Sequence, residues 1–243
     1  MHMLLKSLLA TVMLAAALPA SAQEVVVTGQ YRAGYTAAEP YGVVAQGPQQ
    51  YRPVVNLKRT ADYVVQSVRV IGDTRDAAKR REEVYGMVRN AIQLSAKSGV
   101  ELSTGELVLE PLTLANYTKL PLRSAGRPDT DQAVFLVKTR LAPGVDAKAA
   151  LDRISKFVAA VATVARAEME TIGDPTLSVV DPNQYRGQII ELIAADAAST
   201  TGKFGAGYGI QATGLDRPVQ WARASLTEVF LYLPASYVVV PKP

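Results

Sequence analysis

The chain of 243 residues contains no cysteine and a single histidine, His2. Without a thiol no disulfide can staple the fold, so the chain must bury a core or oligomerise. His2 stands inside a leader-like N-terminus. Once that segment is removed there is no imidazole either. Ser-His-Asp triads, Cys-His pairs, haem ligation and ordinary zinc sites are then excluded. Charge is also scarce. Lys and Arg total 26 against 22 acids, and loss of Lys6 with the leader leaves a net of about +3, too dispersed for a nucleic-acid surface. Tryptophan occurs once, as Trp221. No run after the N-terminus is long and apolar enough to span a bilayer, because Lys156 and Arg166 flank the most apolar one, Ala159 to Ala165.

What is present begins with an export signature. Lys6 supplies a short positive region, Leu8 to Leu18 an apolar one, and Ala20-Ser21-Ala22 a small-x-small cleavage site before Gln23. The expectation is a signal peptide over 1–22 and an exported chain over 23–243. Glu24 to Gly29 reads as a strand. From about 30 to 53 proline and glycine are dense, with Tyr31, Tyr35, Tyr41 and Tyr51 between them. Two readings stay open: a surface insertion, or an adhesive arm whose tyrosines dock on a neighbouring subunit. With Trp221, these four are the candidate interface residues.

The organising stretch is Lys58 to Gly99. Asp62 to Ile71 alternates without a purely polar face, which predicts a central strand. Asp73 or Thr74 is placed to cap a helix carrying Val84, Met87, Val88 and Ala91 on one stripe, with Gly99 at its end. Arg75, Lys79, Arg80, Arg81, Glu82, Glu83 and Arg89 lie mostly on the other side and read as a solvated face. Glu101 to Leu114 reads as interrupted extended structure, and Asn116 to Thr130 as a loop. Asp131 to Leu141 predicts a strand in which Ala133, Phe135 and Val137 alternate against Val134, Leu136 and Lys138. Asp146 caps a second predicted helix with Ile154, Phe157, Val161 and Val164 on its stripe. Gly173-Asp174-Pro175 reads as a break before a short extended piece, Leu177 to Val180. Asp181-Pro182 starts a third helix. Gly209 to Gly214 paired with Val219 to Ser225, then Thr227 to Val240, are the predicted closing strands, with Pro234 at a bulge or an edge. The order predicts an α+β fold: a mixed or antiparallel sheet with about three amphipathic helices packed on it, in one domain.

Few motifs carry chemistry. The glycines from Gly202 to Gly209 miss the dinucleotide spacing and follow a helix, which leaves a turn. The acid pairs Asp129/Asp131 and Glu82/Glu83 sit in a loop and on a helix face, whereas a catalytic dyad needs burial. Asn116-Tyr117-Thr118 matches a three-residue glycosylation acceptor.

The order of these pieces resembles the SIMPL-domain family of bacterial periplasmic and outer-membrane-associated proteins. The residues are an opening Val-x-Val-Thr-Gly strand, the Ala-Asp-Tyr-Val-Val-Gln-Ser-Val-Arg-Val strand before a charged helix, and the Tyr-Arg-Gly-Gln-Ile-Ile-Glu-Leu-Ile-Ala-Ala-Asp-Ala helix before the closing strands. The Tyr/Gly/Pro insertion and the poorly helical end of the third helix, which in the family is usually longer and more alanine-rich, depart from that pattern. The resemblance implies an α+β fold, an envelope location and self-assembly, and it implies no catalytic residues. The expected function is therefore a non-enzymatic, exported, periplasmic protein without cofactor or metal. It would act by self-assembly or contact with other envelope proteins, with peripheral outer-membrane association and no nucleic-acid partner. The alternative is a periplasmic module that binds a small molecule or envelope component. An enzyme using carboxylates and a borrowed divalent metal is a third reading.

Overall fold

The computed structural model describes residues 24–27, 54–105, 108–142 and 146–242. The organising strand and helix form as the pattern predicts. After β1 (Glu24–Val27) and β2 (Leu57–Thr60), the ten-residue β3 (Tyr63–Gly72) runs into α1 (Ala77–Ser98). Then come β4 (Glu101–Thr104), β5 (Glu110–Pro111), a 3-10 turn at Tyr117–Lys119, β6 (Arg123–Ser124) and β7 (Asp131–Arg140). The chain continues through α2 (Ala147–Ala160), β8 (Glu168–Val180), a 3-10 turn at Pro182–Tyr185 and α3 (Arg186–Gly202). It closes with β9 (Tyr208–Thr213), β10 (Gln220–Arg223), β11 (Glu228–Tyr232) and β12 (Ser236–Pro241). Among the described residues the fold is α+β, with three α-helices and antiparallel sheets.

The main sheet has the order β1-β8-β3-β7-β4-β5, with β6 also on β7, and every pairing is antiparallel. Its centre is a split βαβ arrangement: β3-α1-β4 and β7-α2-β8 interleave so that β8, β3, β7 and β4 lie side by side. β3 is central, held by β7 along its whole length and by β8 on the other edge. The helices cover one face. There Val64, Val68 and Val70 of β3 and Ala133, Phe135 and Val137 of β7 are almost wholly buried, together with Val84, Met87, Val88 and Ala91 of α1 and Ile154 and Phe157 of α2. Gly72 allows the close approach of α1, since a Cβ there would stand 2.9 Å from Val84 Cγ2.

Several local expectations are corrected. The cap of α1 is Asp76, whose Oδ1 accepts from the Lys79 amide. Thr74 instead donates its hydroxyl to Glu83. Arg80, expected on the solvated face, is buried and donates to Asp131 Oδ2 at 2.6 Å and to the Thr74 carbonyl at 2.7 Å, tying the start of the helix to the start of β7. Gly99 closes α1 at φ +65°, and Asp146 caps α2, as expected. That helix ends at Ala160, so Val161 and Val164 lie beyond it. Asp181 makes no side-chain cap to the third helix and stands at φ +42°.

The expected break at Gly173-Asp174-Pro175 lies inside a thirteen-residue strand. The register steps there: Val65 faces Thr176 and Ser67 faces Ile172, so one residue of β3 opposes three of β8. Such a bulge frees carbonyls. The buried Gln66 amide fills them, donating to the Ile172 carbonyl at 2.8 Å and the Gly173 carbonyl at 3.1 Å.

The late strands also pair differently from the expectation. β10, β11 and β2 form a three-stranded sheet, and β12 pairs β9 in a separate two-stranded ribbon. Pro234 lies between β11 and β12 and divides the expected single strand between two sheets. α3 lies against β2, β11 and β9, with Ile189, Ile193 and Ala197 buried.

Candidate functional site

The face of the main sheet away from α1 and α2 carries the polar chemistry. Alternation fixes its membership: on β3 it presents Tyr63, Val65, Ser67, Arg69 and Ile71, and on β7 the opposed Arg140, Lys138, Leu136, Val134 and Gln132. β8 adds Ser178 beside Tyr63 and Thr176 beside Val65, and β4 adds Glu101 beside Lys138.

At one end these residues make a closed charge network. Lys138 is only 4 % exposed. Its ammonium reaches across β3 and β8 to pair with Glu24 of β1, lies 3.4 Å from Glu101 Oε2, and sits 4.3 Å from the centre of the Tyr63 ring. The other Glu24 oxygen accepts the Ser178 hydroxyl at 2.6 Å. The Tyr63 hydroxyl donates to Glu101 Oε1 at 3.1 Å and accepts from Arg140 Nη2 at 3.3 Å. Burial raises the Tyr63 pKa above its ordinary value of 10.0. The Arg140 hydrogen bond works against that shift and the Glu101 carboxylate reinforces it. The Leu109 amide donates to the Glu24 carbonyl at 3.3 Å, which ties the β4–β5 connection to the strand at the opposite edge. Each charge in this network has a neighbour of opposite sign or a hydrogen-bonding partner, so its work is to hold β1, β4, β7 and β8 together.

Farther along the same face the sheet floors a cavity of about 470 Å³. Leu136 and Val134 supply apolar floor. Ser67, Thr104, Gln132 and Arg123 bring polar groups to it. A second concavity, about 510 Å³, lies between α3 and β9 and is lined mainly by alanine and glycine, with Lys242 the one charge among the described lining residues.

The candidate interface residues Tyr31, Tyr35, Tyr41 and Tyr51 lie outside the described residues. Trp221 lies on β10, an edge strand, cross-strand from Leu231. It is half-buried, packed against the core. Of the acid pairs, Asp131 is engaged by Arg80 while Asp129 is exposed at φ +56°. Glu82 is exposed, and Glu83 accepts from Thr74. Among the described residues no group of three or more acids could hold a metal ion, and no helix is long and apolar enough to cross a membrane. Sequence reasoning did not single out Lys138, Glu24, Glu101, Tyr63 or Arg123. A visible signal existed for the first: Lys138 falls in line with Val134 and Leu136, on a face otherwise apolar at that point. No protein-family model matches the chain, and no curated protein and no solved structure is significantly similar to it.

Proposed function

We propose that the protein is an exported cell-envelope component that acts by contact, pairing with further copies of itself, and not by catalysis. The resemblance to the SIMPL-domain family belongs to this reading and points the same way. The observation that carries it is the β9–β12 ribbon. Its six-residue register runs from Ser236 opposite Thr213 to Pro241 opposite Tyr208, and neither strand has a second strand neighbour among the described residues. The ribbon is braced on α3, where the Tyr237 hydroxyl donates to Asp196 Oδ2 at 2.6 Å and meets Thr200 Oγ1 at 3.1 Å. Its other face shows Val238 at 57 % exposure. An uncharged Ser-Tyr-Val-Val-Val-Pro strand with an open row of amides and carbonyls is a template for another strand. Antiparallel pairing of two such strands about a two-fold axis is self-complementary, which favours a second copy as the partner. Export is supported by the leader-like pattern alone: the positive Lys6, the apolar run Leu8 to Leu18 and the small residues Ala20-Ser21-Ala22.

The test is the mass of the native assembly of the mature chain, measured by light scattering across a dilution series. The wild type is expected to associate, and Val238→Lys, a change at an exposed position, to shift it to monomer. A wild type that stays monomeric at high concentration would overturn the assembly reading.

A further inference from the structure

We infer that the cavity over the open face of the main sheet binds a sugar carrying one anionic group, carboxylate or phosphate. The site is separate from the β9–β12 ribbon, so this inference stands or falls independently of assembly. Three observations carry it. First, the volume of about 470 Å³ lies in the range of small-ligand sites. Second, among the described residues the charge is one-sided: Arg123 lines the cavity and no described carboxylate does. The neighbouring cation on the same sheet face, Arg69, is engaged by Glu170 at 2.6 Å, whereas Arg123 has no ion pair or side-chain hydrogen bond among the described residues. A guanidinium presents a planar fork of donors that fits a carboxylate or phosphate with two parallel hydrogen bonds.

Third, the rest of the lining suits a polyhydroxylated body. The hydroxyls of Ser67 and Thr104 have no partner among the described residues. Gln132 spends one amide proton on a long 3.4 Å bond to the Ser124 carbonyl and keeps its oxygen free. Val134, 39 % exposed in the middle of a paired strand, and Leu136 form an apolar floor against which the C–H face of a sugar ring packs. A purely apolar ligand would leave three polar side chains and a cation unpaired, and an inorganic oxyanion alone would leave the floor uncovered.

The experiment is calorimetric titration of the mature protein with glucuronate, glucose 6-phosphate and glucose. At least one anionic sugar is expected to bind about tenfold or more tightly than glucose, since a charge-assisted bidentate contact is worth that factor. The tighter of the two identifies the group. Arg123→Gln is expected to erase the advantage over glucose. The exposed neighbour Arg127→Gln is expected to leave it intact. Leu136→Trp, which fills the floor, is expected to abolish binding of all three, with unchanged circular dichroism as the control for folding. Equal binding of glucose and both anions, no binding of any, or an advantage that survives Arg123→Gln would each overturn the inference.

Discussion

Lys138 shows how much a single residue can determine. A buried ammonium is costly unless paired, and here Glu24, Glu101 and the Tyr63 ring surround it. Lys138→Ala leaves the 12 %-exposed Glu24 side chain without its counter-ion, and is expected to lower unfolding free energy by about 3–5 kcal/mol. The double change Lys138→Met with Glu24→Gln removes both charges and is expected to recover most of that loss. Urea denaturation of the three proteins checks this, and a cost below about 1 kcal/mol for the single change would place the pair with ordinary surface contacts. Tyr63 gives a pH signature. Its folded pKa is raised, so the neutral phenol is the form the fold prefers. Its contribution is fully present below the unfolded value near 10 and is lost as pH rises through the raised folded value. Ultraviolet titration of the phenolates is expected to show one late-titrating tyrosine in the wild type that is missing in Tyr63→Phe.

At the scale of elements, the β3–β8 pairing depends on one amide. Without Gln66 the carbonyls of Ile172 and Gly173 lose their donor inside the sheet. Gln66→Leu is expected to cost about 1–3 kcal/mol, and amide exchange is expected to quicken on both sides of the bulge. If protection along Glu168–Val180 is unchanged, the bulge does not depend on Gln66. The helix end at Gly99 is more local. A side chain at φ +65° costs about 1–2 kcal/mol, so Gly99→Ala is expected to lower the melting temperature without altering the sheet. The two sites differ in legibility. A glycine after the last helical turn is a one-residue signal that works through local sterics, and the sequence shows it. The bulge depends on Gln66 and Gly173, more than a hundred residues apart. Gly-Asp-Pro read alone therefore predicts a break, and the long strand becomes visible only with its partner in place. The cap of α1 is a smaller case: Thr74 is a good cap by type, but its hydroxyl is taken by Glu83, and Asp76 serves.

For the whole molecule, the charge network binds the start of the described chain to its middle. Glu24 on β1 and Lys138 on β7 are separated by β8 and β3 in the sheet, and the β4–β5 connection reaches over to Glu24 from the far edge. Removing residues 23–27 is therefore expected to destabilise the protein about as much as Lys138→Ala. Combining the two is expected to add little beyond the larger effect, because both break one pair. A fully additive loss in a double-mutant cycle would show that β1 and Lys138 act separately. Export carries its own check: the intact mass of the protein recovered from the cell envelope is expected to correspond to a chain starting at Gln23.

The sequence by itself determined the absence of any thiol or disulfide, the α+β class, the central place of β3 and the apolar stripes of α1 and α2, because each of these follows from composition or from a period that neighbouring residues impose on one another. It also determined which of Lys138 and Val137 would share a face with Phe135, since alternation along a strand is local. Tertiary structure alone decided that β12 leaves β11 for β9, that Lys138 meets Glu24 across two intervening strands, and that Arg123 lines a cavity with no carboxylate among its described lining residues. Those outcomes rest on pairings between segments far apart in the chain. Burial makes such pairings decisive, and no run of adjacent residues encodes them.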